Sequence, residues 1–207
     1  MATTDRRERE KTEFRKIVLD AARRIVLEGG FDALTMRKIA DAIEYAPGTI
    51  YLYFQSRDAI AFELCWEGFE ALLAAVAPAG AIADPQERLL DLGVRYVRFG
   101  IENPQTYRLI FMGDPKYATS LFEDRGKEEG SPGMQALALL VGAFAELRAQ
   151  GRLAIDAEPY ALAEMLWSAV HGIVALHLAC GQFPETPPER LRELLTQTLL
   201  HGLFAAP

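Results

Sequence analysis

The sequence predicts an all-α protein of about nine helices, and three observations support this prediction. Alternating β-branched runs and Asn-Gly hairpins, the usual signs of strands, are absent from the 207 residues. Apolar residues recur at the three- and four-residue spacing of amphipathic helices along most of the chain. Proline or a capping side chain precedes many of these stretches, and glycine often follows them. Half of the residues are hydrophobic, so the helices can bury a sizeable core.

The first quarter of the chain is predicted to form short, closely spaced helices behind a charged arm. Residues 1–11 are strongly charged and are predicted to be disordered. Gly29-Gly30 ends the first helix, because glycine adopts the left-handed conformation at low cost. Thr35 is a candidate N-cap of the second helix, and Pro47 suits the first turn of the third. The predicted helices cover residues 12–28, 36–43, 47 to about 54, and 57–76.

The rest of the chain is predicted to form mostly longer helices. Asp84-Pro85-Gln86-Glu87 and Thr186-Pro187-Pro188-Glu189 have the pattern of capping boxes with proline in the first turn. A boundary between the short-helix and long-helix parts is predicted near residues 55–60. The predicted helices cover residues 85–102, 104–112, 117–123, 132–150, 157–180 and 188–204.

The net charge of −7 is unevenly distributed along the chain. Residues 1–60 contain 11 Lys or Arg and 10 Asp or Glu, which gives +1. Residues 61–207 contain 11 Lys or Arg and 19 Asp or Glu, which gives −8. A basic patch on residues 1–60 is therefore compatible with the negative net charge of the chain. Such a local patch, rather than the net charge, attracts phosphate.

Several classes of function have no support in the sequence. It contains no nucleophile elbow, no phosphate-binding loop and no paired metal ligands, so we expect no enzyme, metal or cofactor. Cys65 and Cys180 lie far apart in apolar helical stretches and are predicted to be reduced and buried. The charged N-terminus lacks a signal-peptide core, and the most apolar run contains Glu164 and two histidines. We therefore expect a cytoplasmic protein without a membrane span.

Residues 34–58 have the pattern of a helix-turn-helix, two short helices joined by a tight turn. Ile50 and Phe54 are four apart and would pack the second helix, which leaves its N-terminal residues free to approach base edges. Gly48 would let the backbone come close to DNA, and Thr49 offers a hydroxyl and a methyl group. Hydroxyl and guanidinium groups nearby would contact phosphates. The predicted DNA contacts are Thr35, Arg37, Pro47, Gly48, Thr49, Tyr51, Tyr53 and Arg57.

About 30 positions around this motif carry a specific set of residues at specific spacings. They are Gly29-Gly30-Phe31, Leu34-Thr35, Ile39-Ala40, Pro47-Gly48-Thr49-Ile50-Tyr51, Tyr53-Phe54 and Ser56-Arg57-Asp58. With these residues the segment resembles the tetracycline-repressor (TetR) family of bacterial regulators. The resemblance implies that residues 12–58 form a DNA-binding domain whose helix from Pro47 enters the major groove. It also implies that residues 59–207 form a helical ligand-binding and dimerisation domain.

Four positions depart from the pattern of the family. Glu44 stands where the turn usually carries glycine, and a glutamate pays more than glycine for the left-handed conformation. Ala46 replaces a polar residue, so the helix from Pro47 lacks a side-chain cap. Tyr53 replaces a histidine and Arg57 a lysine, and both replacements keep a donor for phosphate.

Trp167-Ser168-Ala169-Val170-His171-Gly172 resembles the tryptophan-histidine-glycine signature of one C-terminal subgroup of TetR-like proteins. Trp167 and His171 are four apart on one helix face, where they either pack in the core or contact a ligand. The resemblance implies a homodimer formed by the last two helices, bound to a palindromic DNA operator and released by a small-molecule effector. The candidate ligand contacts, whose aromatic character favours a lipophilic or aromatic molecule, are Trp66, Phe69, Tyr96, Phe99, Tyr107, Phe111, Phe144, Met165, Trp167 and His171.

Two hypotheses for the second domain stay open. It either binds a small effector, which makes the protein a ligand-responsive repressor, or it binds another protein and no ligand. An apolar cavity would favour the first hypothesis and a filled core the second.

Overall fold

The computed structural model describes residues 2–118, 130–181 and 183–203, and in this part of the chain it contains no β-sheet. The prediction of an all-α fold is therefore confirmed. Two short 3-10 turns, Phe31–Ala33 and Ala77–Ala81, follow α1 and α4. The described residues form α1 (Ala2–Gly29), α2 (Met36–Ile43), α3 (Pro47–Tyr51), α4 (Arg57–Val76), α5 (Pro85–Glu102), α6 (Pro104–Phe111), α7 (Pro115–Ala118), α8 (Pro132–Ala149), α9 (Pro159–Ala179) and α10 (Pro188–Leu203).

The chain divides into two compact units, and the divisions at residues 68/69 and 107/108 fall inside α4 and α6. The first unit contains Met1–Gly68 and Arg108–Ser120, and the second contains Phe69–Tyr107 and Leu121–Pro207. The first unit thus runs past the boundary predicted at residue 58. The reason is that the first three turns of α4 belong to its core, where Ile60, Ala61 and Leu64 are buried with residues of α1.

The first unit is built on α1, which packs against α2 and the 3-10 turn, while α2 packs against α3. Apolar side chains from each helix meet in one cluster, in which Val18, Ile39 and Ile50 are fully buried. This burial fixes the orientation of α2 and α3, because a helix of five or eight residues is marginal without tertiary packing.

The arm that was predicted to be disordered is instead part of α1, which begins at Ala2 rather than at Thr12. Arg6 Nε donates to a carboxylate oxygen of Glu10 at 2.7 Å, and the Thr12 hydroxyl donates to the carbonyl of Glu8 at 2.9 Å. Arg, Lys and Glu are good helix formers, and charge pairs four apart add support. A charge-rich stretch can therefore continue a helix while its side chains remain exposed.

The second unit consists mainly of α5, α8, α9 and α10, which pack against one another. Phe144, Leu147 and Val174 are among its fully buried side chains. Asp84 caps α5 by accepting hydrogen bonds from the backbone N–H groups of Gln86 and Glu87 at 2.9 and 3.0 Å, as its sequence pattern predicted.

Some helix ends differ from the expectation. Helix α3 ends at Tyr51 instead of near Tyr53-Phe54. The short helix expected at residues 117–123 is found at Pro115–Ala118, and residues 119–129 lie outside the described part of the chain, as does Phe204. Cys65 is buried as predicted, but Cys180 is exposed because it lies just beyond the last turn of α9.

Among the described helices, α9 is long and apolar enough to cross a membrane by length and composition alone. A core helix of a soluble protein has the same properties, so this is weak evidence for a span. One face of α9 is buried within the second unit, and this face carries Leu162, Leu166, Val170 and Val174.

Candidate functional site

The turn between α2 and α3 has the left-handed conformation that the family pattern predicts, although glutamate occupies it. Thr35 caps the start of α2, where its Oγ1 accepts a hydrogen bond from the N–H of Lys38 at 3.1 Å. Glu44 ends the helix with φ 58° and ψ 39°. The N–H of Tyr45 then donates to the carbonyl of Ala40 at 3.0 Å, which closes the turn. Compared with glycine, Glu44 costs about 1 kcal/mol in this conformation.

Helix α3 has one buried side and one open side. Ile50 and Phe54 are buried in the core of the first unit, and Tyr51 between them is 55% exposed. Ala46 provides no side-chain cap, as expected. Gly48 is exposed, its φ is not in the left-handed region, and a β-carbon added there would meet no atom within 4 Å. The open side of α3 therefore carries no group that the fold itself requires.

The end of the motif is attached to α1 and α4. The Tyr53 ring packs on Phe14 with 4.4 Å between the ring centroids. Arg15 Nη1 donates to the carbonyl oxygen of Tyr53 at 2.7 Å, and Arg15 Nη2 donates to both carboxylate oxygens of Glu63 at 2.5 Å. The Arg15 guanidinium also lies 4.2 Å from the centroid of the Phe54 ring. These contacts hold the segment after α3 in one orientation.

A polar cluster surrounds Arg57 at the start of α4. Lys116 Nζ and the Tyr117 hydroxyl each donate to the Asp58 carboxylate at 2.6 Å. The bond from Lys116, followed by that from Tyr117, lowers the pKa of Asp58 to about 2. Arg57 makes longer bonds, at 3.2 Å to Asp58, 3.4 Å to the Tyr117 hydroxyl and 3.5 Å to the carbonyl of Leu34. The predicted phosphate donor thus has partners within its own unit.

The remaining predicted DNA contacts lie on the surface of α2 and α3. Thr35, Arg37 and Pro47 are exposed, and Thr49 is half-buried. The Arg37 side chain is 88% exposed and lies 4.0 Å from Asp41. These residues are therefore accessible to solvent, as Gly48 and Tyr51 are.

In the second unit, four of the candidate ligand contacts form a hydrogen-bonded network. The Trp167 indole N–H donates to the Tyr96 hydroxyl at 3.1 Å. The Tyr96 and Tyr107 hydroxyls are 3.1 Å apart, and they lie 3.0 and 2.6 Å from His171 Nδ1. The imidazole also stacks on the Tyr107 ring, with 5.5 Å between centroids. Trp167 and His171 therefore share one face, as their spacing predicted.

The hydrogen bonds of the network fit a neutral histidine. An indole can only donate, so the Tyr96 oxygen accepts from Trp167 and its own proton points to Tyr107 or His171. When Nδ1 of His171 accepts the short hydrogen bond from Tyr107, the proton of the neutral ring is on Nε2; the Tyr107 hydroxyl also lies 3.4 Å from the carbonyl oxygen of His171. Burial lowers the pKa of His171, which favours this neutral form. Burial also raises the pKa of Tyr96 and of Tyr107, so both remain phenols.

We expect the network to make stability depend on pH. The pKa of His171 is lower in the folded than in the unfolded state, so its contribution to the free energy of unfolding is complete above the unfolded pKa of about 6.5. Stability is then lost as the pH falls from this value through the folded pKa. The variant His171→Asn keeps an acceptor near the position of Nδ1 but does not titrate. Urea unfolding should show that the free energy of unfolding decreases more from pH 7.5 to pH 5.5 in the wild type than in His171→Asn. Equal decreases in the two proteins would contradict the assignment of a neutral His171.

The other candidate ligand contacts do not all join this network. Phe69, Phe99 and Phe144 are buried in the second unit. Met165 is exposed on α9, whereas Trp66 and Phe111 belong to the first unit. A groove of about 530 Å³ in the first unit is lined by residues from the end of α1 and from 108–114, and it contains none of the candidates.

Two family models match the sequence. The model of the tetR family of bacterial regulatory proteins matches residues 18–64. The model of the tetracyclin repressor-like C-terminal domain matches residues 89–201, which is more than half of the chain. The chain belongs to the TetR family.

Curated relatives of this TetR-family chain are transcriptional repressors. The HTH-type transcriptional repressor Rv1474c of Mycobacterium tuberculosis is 35% identical over 75 residues, or 36% of this chain and 40% of that protein. The HTH-type transcriptional repressor KstR of the same organism is 47% identical over 45 residues, or 22% of this chain and 20% of that protein. The chain thus matches less than half of the length of these relatives.

Solved structures share the fold over nearly the whole chain. FadR from Bacillus subtilis, a transcriptional regulator solved in complex with stearoyl-CoA, has a TM-score of 0.72 and 18% identity, over 90% of this chain and 98% of that one. The fatty acid degradation regulator FadR from Bacillus halodurans has a TM-score of 0.72 and 19% identity, over 90% and 94%. At these identities the similarity shows the TetR fold alone.

Sequence reasoning missed several residues that build the TetR helix-turn-helix in this chain. Phe14 and Arg15 orient the segment after α3, and Tyr117 reaches Asp58 from a distant part of the chain. No local signal marks such partners. Leu52 could have been found, because an apolar residue two positions from both Ile50 and Phe54 must face away from their side of the helix.

Proposed function

We propose that this TetR-family protein is a DNA-binding transcriptional repressor. The observation that carries the proposal is the open side of α3, with Gly48 at a position where the fold does not need a glycine. Gly48 is the second residue of α3, and without a side chain it would let a large external surface, such as the floor of the DNA major groove, come close to the helix backbone.

The residues around Gly48 have the chemistry that DNA contact needs. Thr49 would contact base edges, and the hydroxyls of Tyr51 and Tyr53 would donate to phosphates. Thr35, Arg37, Pro47 and Arg57 would contact the backbone beside the groove. Because Arg57 already has partners in its own unit, we propose that it contributes charge near phosphate with little rearrangement.

We further propose that two chains assemble through α9 and α10. The side of α9 opposite its buried face is mostly apolar or small apart from the exposed Glu164, and a side chain added at Gly172 would meet no atom within 4 Å. Leu194 on α10 is also exposed. A two-fold dimer would place two copies of α3 about one DNA turn, roughly 34 Å, apart on a palindromic operator. The stripe of α9 on this side consists of the exposed Ala161, Met165, Ser168 and Leu176 and the half-buried Gly172.

For the second unit we propose a site for a lipophilic or aromatic effector beside the network of Tyr96, Tyr107, Trp167 and His171. In our proposal the chain belongs to the tryptophan-histidine-glycine subgroup, and the aromatic side chains of the network suit an apolar ligand. The FadR structure with stearoyl-CoA supports a lipophilic ligand in this fold. Such a ligand would release DNA only if it bound one arrangement of the dimer more tightly than another.

We propose that the protein acts in the cytoplasm, and the experiment that tests DNA binding is selection from a library of randomised duplexes, followed by footprinting. We expect one palindromic sequence, protected by two chains per duplex. Binding that is equal for all duplexes, or that never saturates, would contradict the proposal. Acyl-CoAs and free fatty acids, added to the complex one by one, would then distinguish an effector site from a domain that binds only another protein.

The phenol of Tyr51 supplies a separate prediction. Tyr51→Phe removes only the exposed hydroxyl, so we expect about fivefold weaker binding, equal for the selected and for random duplexes, because one phosphate hydrogen bond is lost. Fluorescence anisotropy titrations with both duplexes measure the two ratios. A loss confined to the selected duplex would instead mean that Tyr51 contacts a base.

A further inference from the structure

Leu52 is the most exposed large hydrophobic side chain among the described residues, at 80%. It lies at the end of α3, and its helical φ and ψ of −71° and −19° continue the direction of that helix. Its N–H donates to the carbonyl of Thr49 at 3.2 Å. Neighbouring Ile50 and Phe54 are buried, so the exposure of Leu52 results from its orientation and not from a lack of core nearby.

The helix geometry places Leu52 on the open side of α3, at the C-terminal end of the helix. Each residue turns the helix by about 100°, so Leu52 points about 160–200° away from the buried Phe54 and Ile50. Gly48 lies four residues earlier on the same face, and Thr49 lies three residues earlier. Because Gly48 has no side chain, a surface that approaches this face meets Leu52 first.

The chemistry of the major groove offers one kind of apolar group to this side chain. Base edges carry hydrogen-bond donors and acceptors, and thymine alone adds a methyl group at C5. The leucine side chain cannot form hydrogen bonds, so contact with a polar base edge would not stabilise the complex. Contact with a thymine methyl group would bury apolar surface of both the leucine and the methyl group. We propose that Leu52 is a specificity-determining residue that contacts the C5-methyl group of a thymine in each operator half-site. This inference rests on the proposed DNA binding.

The experiment removes this methyl group alone. In the duplex obtained by selection, each thymine is replaced in turn by deoxyuridine, which differs only at C5. For the wild type we expect one thymine per half-site whose replacement weakens binding about fourfold, the effect of losing burial of one methyl-sized group. In Leu52→Ala the same replacement should have no effect, while binding to the unmodified duplex is already weaker.

A matched variant and a folding control define the result. Tyr51→Phe alters the adjacent exposed side chain and should keep the deoxyuridine effect at the same position. Thermal unfolding of Leu52→Ala should equal that of the wild type, since the side chain packs against nothing that the fold requires. If the fourfold effect persists in Leu52→Ala, or if no thymine replacement weakens wild-type binding, the inference is overturned while DNA binding stands. A wild type that selects no duplex overturns both.

Discussion

Replacing Gly48 by alanine is expected to stabilise the fold and to weaken operator binding at least tenfold. A β-carbon at this position meets no atom of the protein within 4 Å, and alanine is the better helix former. The expected gain in the free energy of unfolding is about 0.5–1 kcal/mol. On DNA, the new methyl group would stand between the α3 backbone and the groove. A loss of about 1.4 kcal/mol in binding, which is tenfold, needs only one hydrogen bond or close contact to be broken.

Gly142 supplies the matched control for this variant. It lies inside α8, and a β-carbon added there also meets no atom within 4 Å. We expect Gly142→Ala to raise the free energy of unfolding by a similar amount and to leave DNA affinity unchanged. Urea unfolding and anisotropy titrations of the two variants measure both quantities. If Gly48→Ala binds the selected duplex as tightly as the wild type does, close approach of DNA to α3 is wrong.

The helix-turn-helix was predictable because its signals are local. Each signal determines the conformation of residues only a few positions away: Thr35 caps α2, Glu44 ends it in the left-handed conformation, and Pro47 starts α3. Capping hydrogen bonds and backbone conformations of this kind depend little on the rest of the fold. The sequence therefore predicted the bounds of α2 to the residue, although the end of α3 was placed too late.

Contacts between distant segments were not predictable from one sequence. Nothing near Asp58 indicates that Lys116 and Tyr117 will surround its carboxylate, and nothing near Tyr96 indicates the partner His171. Periodicity shows that a helix has an apolar face, but it does not show which face of which other helix will meet it. For the same reason the list of candidate ligand contacts mixed residues of both units.

The prediction that the charged arm is disordered was wrong for a different reason. Residues 6–13 are exposed, and no apolar periodicity marks them as part of a helix. Composition of this kind occurs both in disordered segments and in solvated helices. The pairing of Arg6 with Glu10, which could have separated the two cases, contributes only about 0.3–0.5 kcal/mol.

Replacing Gly100 by alanine is expected to destabilise the second unit by about 1–3 kcal/mol, the usual cost of overpacking a core. A β-carbon at Gly100 would lie 2.4 Å from Cγ1 of Val174 and 3.1 Å from Cδ2 of Tyr107. Valine is branched at Cβ and has few alternative rotamers in a helix, so α5 and α9 must separate to relieve the contact. Urea unfolding should show the loss as a lower transition midpoint.

Gly93 tests whether the distance between α5 and α9 is the cause. It lies seven residues, or two turns, before Gly100, but a β-carbon there would be 3.9 Å from the nearest atom, Cγ1 of Val170. Gly93→Ala should therefore be neutral or stabilising by up to about 1 kcal/mol, since helix propensity is improved without a clash. The double variant Gly100→Ala, Val174→Ala should lose less stability than the sum of the two single variants, because it removes both methyl groups of Val174 that the new β-carbon meets. Equal destabilisation by Gly93→Ala and Gly100→Ala would contradict this explanation.

The pH dependence of stability provides a second measurement. The β-carbon added at Gly100 would also meet the Tyr107 ring, so relief of the clash should disturb the hydrogen bond between Tyr107 and His171. The difference in the free energy of unfolding between pH 7.5 and 5.5 should then shrink in Gly100→Ala but not in Gly93→Ala.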